Sequence, residues 1–330
     1  MKLNDLGHIY SSGNSFTTKA ALLQSVYRVN KGFPIGETTV SIPDGLDENG
    51  KPKKKKKIRR EYGHMVKGGD KMWYNFYNKD ILNYAQKRVA EKLPEETIEA
   101  DRLFNNLLSS MPLAFNLFYP LMELLEKDVV KTTEIVAALF PNWDITKVDK
   151  IGIEFIPTPI KDYTEDKSAM DAFITFIDKE GEKNIIAIEV KYTDSLGTNK
   201  AKENEKKYEV AKNTKFFTAE GLKVIDQGCT QIFRNFLLTE SYRMKEKMPN
   251  SYNVILAPAQ HPSTLTELNA IKKYFNDTCP EDKLTKYDLE TFVHIIAEKV
   301  PAEMKDWINW FEKRYLDFGS EESLYKELKG

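Results

Sequence analysis

The sequence predicts an α/β protein in which a mixed central sheet is flanked by helices. Apolar residues recur at helical spacing through residues 96–139 and again after residue 258. Between these two regions the apolar residues follow the pattern of strands. Strands are predicted at 151–156, 171–177, 184–192 and 252–257. Helices that precede, separate and follow such strands are expected to cover the faces of the sheet.

Residues 1–95 are predicted to form an irregular region that contains a β-hairpin. Seven Gly and Pro residues between Gly32 and Pro52 are too closely spaced for long helices, and residues 37–42 are typical of a strand. Residues 51–60 (KPKKKKKIRR) include eight basic residues. This run is either a solvated loop or an arm that contacts phosphate groups. A helix is expected at 74–92.

The remaining helices follow from apolar spacing and from proline positions. Residues 96–128 are predicted to be helical, with Pro112 and Pro120 dividing or kinking the segment. A shorter helix at 131–139 should end before Pro141. After the three central strands, the predicted helices lie at 200–211, 225–243, 264–275, 287–299 and 302–316.

Composition argues against several protein classes. No run approaches the roughly 18 apolar residues that cross a bilayer, and the N-terminus lacks a secretory pattern, so a cytoplasmic protein without membrane contact is expected. Cys229 and Cys279 form no CxxC pair, which argues against a zinc site or a disulfide framework. The net charge is −1. This balance does not exclude nucleic acid, because binding depends on where Lys and Arg cluster.

The segment 168–193 carries the strongest functional signal. Residues 185–188 form an apolar run that is typical of a strand buried on both faces. Glu189 and Lys191 follow at positions i and i+2, so both should project from the same face. Buried charges are costly unless they are paired or bound to a metal.

A hairpin should bring a second carboxylate to the same place. Residues 178–182 (DKEGE) resemble a turn, and pairing of Asp178 with Glu182 would set Asp171 opposite Glu189, with Cα atoms about 5 Å apart. Two carboxylates this close repel each other unless a cation lies between them. With the backbone carbonyl of Val190 and water, they suit Mg²⁺ or Mn²⁺.

Further residues are candidate auxiliary groups. Glu154, on the preceding strand, is either a third carboxylate of the site or a paired structural acid, and Glu123 is an alternative for the same role. Gln231 and Arg234 lie one turn apart on a predicted helix, where they either hold a phosphate or belong to the helix surface. The four histidines have no metal-binding spacing.

The combination of Asp171 with Glu189-Val190-Lys191 resembles the PD-(D/E)XK nuclease superfamily. Three flanking segments are similar to its bacterial restriction-endonuclease-like branch: IGIEFIP (151–157), AIEVKYTDS (187–195) and QIFRNFLL (231–238). The likeness covers about residues 101–316, and Met170 stands where the family name has proline. The resemblance implies a restriction-endonuclease-like core, dependence on Mg²⁺ with Mn²⁺ as a substitute, and hydrolysis of phosphodiester bonds.

We therefore expect a DNA endonuclease of the restriction or phage-defence kind, with a nuclease core at 96–330 and an N-terminal DNA-contacting region at 1–95. A repair nuclease or an RNA-cutting relative would share the same three residues. A nucleic-acid-binding protein that no longer cuts is another alternative, as is a scaffold whose aromatic helix, 302–316, binds a partner. A homodimer would suit the cutting of both strands.

Overall fold

The computed structural model describes residues 3–11, 14–43, 45, 55–197 and 205–319. The strands are β1 (Ile35–Pro43), β2 (Lys55–Val66), β3 (Lys147–Phe155), β4 (Met170–Ile177), β5 (Lys183–Val190), β6 (Ser251–Ala257) and β7 (Leu284–Asp288). The helices are α1 (Ser15–Asn30), α2 (Lys79–Ala90), α3 (Ala100–Asn105), α4 (Ser110–Lys127), α5 (Val129–Leu139), α6 (Glu205–Thr214), α7 (Ala219–Gln227), α8 (Gln231–Lys245), α9 (Thr264–Lys272), α10 (Leu289–Lys299) and α11 (Lys305–Tyr315). No helix in these ranges is long and apolar enough to cross a membrane.

The central sheet has the order β3-β4-β5-β6-β7, which confirms the predicted mixed sheet. β4 is antiparallel to both β3 and β5, whereas β6 pairs in parallel with β5 and β7 pairs in parallel with β6. The β4–β5 hairpin has the predicted register, because Ala172 pairs with Ile188 and Ile177 pairs with Lys183. In its turn, Gly181 adopts φ 81°, a conformation that glycine reaches without steric cost.

Each face of the sheet is covered by helices. Ile174 and Ile186 pack in the largest core cluster with residues of α4, α10 and α11. On the opposite face, Phe173 and Ala187 pack against Leu238 of α8. Since side chains alternate along a strand, the residues that follow Ala187 at two-residue steps also project toward α8. The fold therefore directs Glu189 and Lys191 toward this helix.

The prediction of an irregular N-terminal region is wrong for residues 15–30, which form α1. The side chain of Asn14 caps this helix by accepting hydrogen bonds from the backbone N–H groups of Phe16 and Thr17. Phe16 and Ala20 are buried in the largest core cluster, so tertiary packing stabilises the helix.

The predicted hairpin is confirmed as β1 paired with β2. Residues 51–54 of the basic run lie outside the described residues. Residues 55–60 belong to β2 rather than to a loop, and their side chains are exposed except for half-buried Ile58. Pairing with β1 provides the backbone hydrogen bonds that a loop would lack.

Several predicted helix boundaries were also wrong. The segment 225–243 is two helices, because Gly228 ends α7 with φ 132° and Thr230 is the N-cap of α8. The segment 96–128 divides before Pro112, which lies in the first turn of α4, where a missing N–H costs nothing. Pro120 remains inside α4. In the segment 74–92, the helix begins only at Lys79, after the cap Asn78.

The edge strand β7 was not predicted. It has five residues, and those after Leu284 are half-buried, so the sequence shows no continuous apolar run. Short edge strands with polar side chains are common in natural sheets.

Candidate active site

Glu189 lies at the end of β5, and α8 fixes its position. Nε2 of Gln231 donates to Oε1 of Glu189 at 2.7 Å, and Nδ2 of Asn235 donates to Oε2 at 2.5 Å. Gln231 and Asn235 are four residues apart, so they lie on one face of the helix. The break at Gly228 starts α8 at Gln231 and so determines which residues face the sheet.

Lys191 forms a buried ion pair with Glu189. Its Nζ lies 2.5 Å from Oε1 of Glu189, and the lysine is 6% exposed. Burial lowers the pKa of Lys191, but the Glu189 and Asp171 carboxylates outweigh this effect and hold the pKa above its ordinary value. The side chain therefore carries a positive charge throughout the physiological range.

Asp171 joins the pair from β4. Its Oδ2 accepts a hydrogen bond of 2.7 Å from the backbone N–H of Val190. Burial, followed by repulsion from Glu189 and Glu154, raises the pKa of Asp171 well above its ordinary value. Asp171 thus lies close enough to Glu189 for their charges to repel, as the hairpin register predicts.

Glu154 completes the acidic group from β3. It is 5% exposed and adopts φ 51°, which non-glycine residues rarely do. Burial and then repulsion from Glu189 raise the pKa of Glu154 to about 7. Of the two interpretations of Glu154, the structure favours a carboxylate beside the site. Glu123 lies elsewhere, where it accepts a hydrogen bond from Tyr119.

These side chains line one cleft of about 410 Å³, which we call the acidic cleft. Its lining includes the acids Glu154, Asp171 and Glu189 and the bases Arg102, Lys167, Lys191 and Arg234. The guanidinium of Arg234 also donates to the carbonyl oxygen of Cys229. Glu154, Glu189 and Lys191 are the buried charged residues of this lining. The more exposed walls carry the bases Arg102, Lys167 and Arg234 and the acids Glu99 and Asp166.

The acidic cleft offers oxygen ligands of the kind that Mg²⁺ prefers. Glu189 receives three contacts, from Lys191, Gln231 and Asn235, and so uses three of roughly four lone-pair sites of a carboxylate. Asp171 accepts the Val190 N–H, and its other oxygen can coordinate a cation. No group of three or more His, Cys, Asp or Glu in the described ranges is arranged as a metal site. Mg²⁺, however, is usually held by one or two carboxylates and retains several waters.

Asn235, Arg102 and Arg88 were not predicted as site residues. Arg88 donates to the carbonyl oxygen of Glu154, and Arg102 pairs with Asp194 beyond β5. The spacing of Gln231 and Asn235 was a usable signal, because the predicted helix 225–243 already places them one turn apart on the same face. The two arginines had no signal, because they lie on α2 and α3, far from the strands in sequence.

Comparisons with known proteins identify the family. The model of the PD-(D/E)XK nuclease superfamily matches residues 11–317. It extends well beyond the region 101–316 in which the likeness was visible, into the N-terminal helix and hairpin. Neither the curated proteins nor the solved structures gave a match.

Proposed function

Because this chain belongs to the PD-(D/E)XK nuclease superfamily, we propose that it is a metal-dependent endonuclease that hydrolyses phosphodiester bonds of DNA. Family membership supports a metal-dependent nuclease in general. The restriction or phage-defence role, the DNA substrate and the use of Mg²⁺ are our proposals. The observation that carries the proposed phosphodiester hydrolysis is the meeting of Asp171, Glu189 and Lys191 in one cleft at the end of β5.

In this proposal, Asp171, Glu189 and the backbone carbonyl of Val190 hold Mg²⁺, for which Mn²⁺ can substitute. When bound, the metal lowers the pKa of a water molecule and stabilises negative charge on the phosphate. It also offsets the repulsion that raises the pKa of Asp171. This donor set fits a hard divalent cation because all its ligands are oxygens.

Lys191 supplies the second positive charge of the site. Its ammonium donates a hydrogen bond to the attacking water or to a phosphate oxygen, where it neutralises the charge that develops in the transition state. Gln231 and Asn235 hold the Glu189 carboxylate in place, and this carboxylate in turn holds Lys191. The reacting groups are thus oriented before the substrate binds.

Basic residues outside the acidic group position the nucleic acid. Arg102, Lys167 and Arg234 line the cleft walls, where they contact phosphates of the bound strand. The exposed basic side chains of residues 55–60 extend this contact along the β1–β2 hairpin. We expect the protein to be cytoplasmic. We also expect a homodimer, because two active sites related by a two-fold axis can cut both strands of a symmetric DNA site.

Cleavage of supercoiled plasmid DNA tests this proposal. Wild-type protein should cut with Mg²⁺ or Mn²⁺ and be inactive in EDTA, whereas Asp171→Ala and Lys191→Ala should lose at least about 10³-fold in rate. Glu180→Ala is the matched control, since Glu180 is an exposed carboxylate in the turn of the same hairpin.

Assays with RNA and with modified and unmodified DNA distinguish the proposed DNA endonuclease from the alternative functions. Cutting of RNA but not of modified or unmodified DNA would replace the DNA proposal with an RNA nuclease. Metal-independent cutting, or equal activity of Asp171→Ala and wild type, would contradict the proposed site. Binding without cutting on every substrate would favour the non-cutting alternative.

A further inference from the structure

A second pocket of about 490 Å³ lies directly beside the acidic cleft. We call it the ring pocket, and its principal lining residues are Tyr10, Thr38, Val40, Tyr62, His64 and Ser263. Thr193 also lines it, two residues after Lys191 of the cleft. Two residues of extended chain span no more than about 7 Å. These two lining residues are therefore about one nucleotide apart.

The segment after β5 forms a wall shared by both cavities. The Asp194 carboxylate accepts hydrogen bonds from the backbone N–H of Ser110 and from Arg102, which both line the cleft. The carbonyl oxygen of Asp194 lies 3.1 Å from Nε2 of His261, which lines the ring pocket. A molecule that enters one cavity thus lies next to residues that shape the other.

Aromatic side chains line the ring pocket, and three of them lie close together. Tyr10, Tyr62 and His64 have centroids 5.4–6.1 Å apart, with interplanar angles from 43° to 70°. The rings are inclined to one another, so each presents its face in a different direction. Stacking of a nucleobase on an aromatic side chain contributes about 1–3 kcal/mol per base.

One buried polar atom in this lining, Nδ1 of His64, lacks a hydrogen-bond partner among the described residues. The side chain of Ser263, which also lines the pocket, interacts with Glu267. His64 is only 5% exposed, and burial lowers its pKa to about 3, so its imidazole is neutral and offers both a donor and an acceptor. An unpaired buried polar group costs about 1–3 kcal/mol. A ligand whose edge carries donors and acceptors would recover this cost.

The ring pocket also adjoins the basic hairpin. Thr38 pairs with Arg60, and Gly36 pairs with Tyr62, so the side chains of Thr38, Arg60 and Tyr62 share one face of the hairpin. Thr39 and its partner Arg59 lie on the opposite face. An exposed guanidinium on the pocket side is placed to contact the phosphate backbone of a strand whose base is in the pocket.

We propose that the ring pocket receives a single nucleobase, taken out of the stack of the nucleic-acid substrate, while an adjoining phosphate lies in the acidic cleft. The inference rests on the proposed nuclease function and adds a recognition site to it. The rings stack on the base, and His64 and Ser263 contact its edge. Enzymes that extrude a base read it in this way, by stacking and by hydrogen bonds.

The test compares Thr38→Trp with Thr39→Trp in EDTA, so that no cleavage is needed. The first variant fills the ring pocket, and the second adds the same side chain to the opposite face of the same strand. The probes are the four deoxynucleoside 5′-monophosphates, titrated and followed by ligand-detected NMR. Wild type and Thr39→Trp should bind at least one of them, and Thr38→Trp should bind it at least 10-fold more weakly.

Oligonucleotides that carry 2-aminopurine provide the second measurement. Their fluorescence should rise on binding to wild type and to Thr39→Trp, because the base leaves its stack, and should stay low with Thr38→Trp. If Thr38→Trp melts at a lower temperature than Thr39→Trp, Val40→Trp fills the same pocket instead.

No binding of any mononucleotide, or equal binding by Thr38→Trp and wild type, would overturn the proposal. Nucleotide binding that needs an open ring pocket, in a protein that cuts no nucleic acid, would support the pocket while rejecting the nuclease function. If the wild-type protein cuts nucleic acid and Thr38→Trp binds nucleotides as strongly as wild type, the nuclease function is supported and the ring-pocket proposal is rejected.

Discussion

Helix α8 borders two clusters of buried charged groups, and the two clusters differ in their ratio of acidic to basic groups. Near its N-terminus, the acidic cleft brings together the carboxyl groups of Asp171, Glu189 and Glu154 with the buried ammonium of Lys191. Near its C-terminus, fully buried Glu240 accepts hydrogen bonds from Arg243 and from Ser251, with the Lys283 ammonium 3.7 Å away. Among the groups just named, three acids face one base in the first cluster, and one acid faces two bases in the second.

The comparison separates a cluster in which charges are balanced from the proposed catalytic cluster. In the Glu240 cluster, burial lowers the pKa of Lys283, although Glu240 opposes this shift. The negative charge of Glu240 is balanced by the positive charges of Lys283 and Arg243. In the acidic cleft, burial and mutual repulsion raise the pKa values of two carboxyl groups. Excess negative charge in a buried site is destabilising unless a cation binds there. In the proposed function, a divalent cation bound in the cleft would offset this repulsion.

The largest stability effect is expected from Glu240→Gln. The substitution removes the acid that pairs with Lys283 and Arg243, and loss of one partner from a buried ion pair costs about 3–5 kcal/mol. Urea denaturation should show this decrease in the free energy of unfolding. Glu246→Gln, at an exposed position just beyond the same helix, is the matched control and should change little. A similar small change for both variants would contradict the structural role of Glu240.

A smaller effect should appear in the pH dependence of stability without metal. Glu154 has an ordinary pKa of 4.5 and a folded-state pKa of about 7, so the folded chain binds more protons between these values. Its contribution to stability is complete below about pH 4.5 and is lost as the pH rises through 7. The loss amounts to at most about 3 kcal/mol, at about 1.4 kcal/mol per pKa unit.

Comparison of wild type with Glu154→Gln in EDTA isolates this contribution, because the variant cannot ionise at that position. The variant should gain stability relative to wild type between pH 5 and 8. A constant difference between the two proteins across this range would mean that Glu154 titrates at its ordinary pKa.

The smallest effect is expected from Asp171→Asn. In EDTA it should raise the free energy of unfolding by about 1 kcal/mol, since it removes a charge that Glu189 and Glu154 repel. With Mg²⁺ present, wild type should gain stability through metal binding and the variant should not. Glu180→Gln controls for loss of a surface carboxylate. Destabilisation of the EDTA-treated variant would show that Asp171 contributes to the fold in the same way as Glu240.

The sequence by itself determined the central hairpin and its chemistry. The apolar run 185–188 requires a buried strand, and the turn 178–182 with Gly181 sets the register. Both are local features, because strand alternation and turn geometry depend on residues a few positions apart. The pattern of Asp171, Glu189 and Lys191 on one face therefore followed from reading a segment of about twenty residues.

Only the tertiary structure decided what surrounds these three residues. Asn235 and Gln231 reach Glu189 across 46 and 42 positions of sequence, and their approach depends on where Gly228 ends α7. The left-handed conformation of Glu154 and the joining of Tyr62 and His64 to the segment after β5 depend on how distant elements pack. Contacts of this kind are selected by the burial of whole helices and hairpins, so no local pattern encodes them.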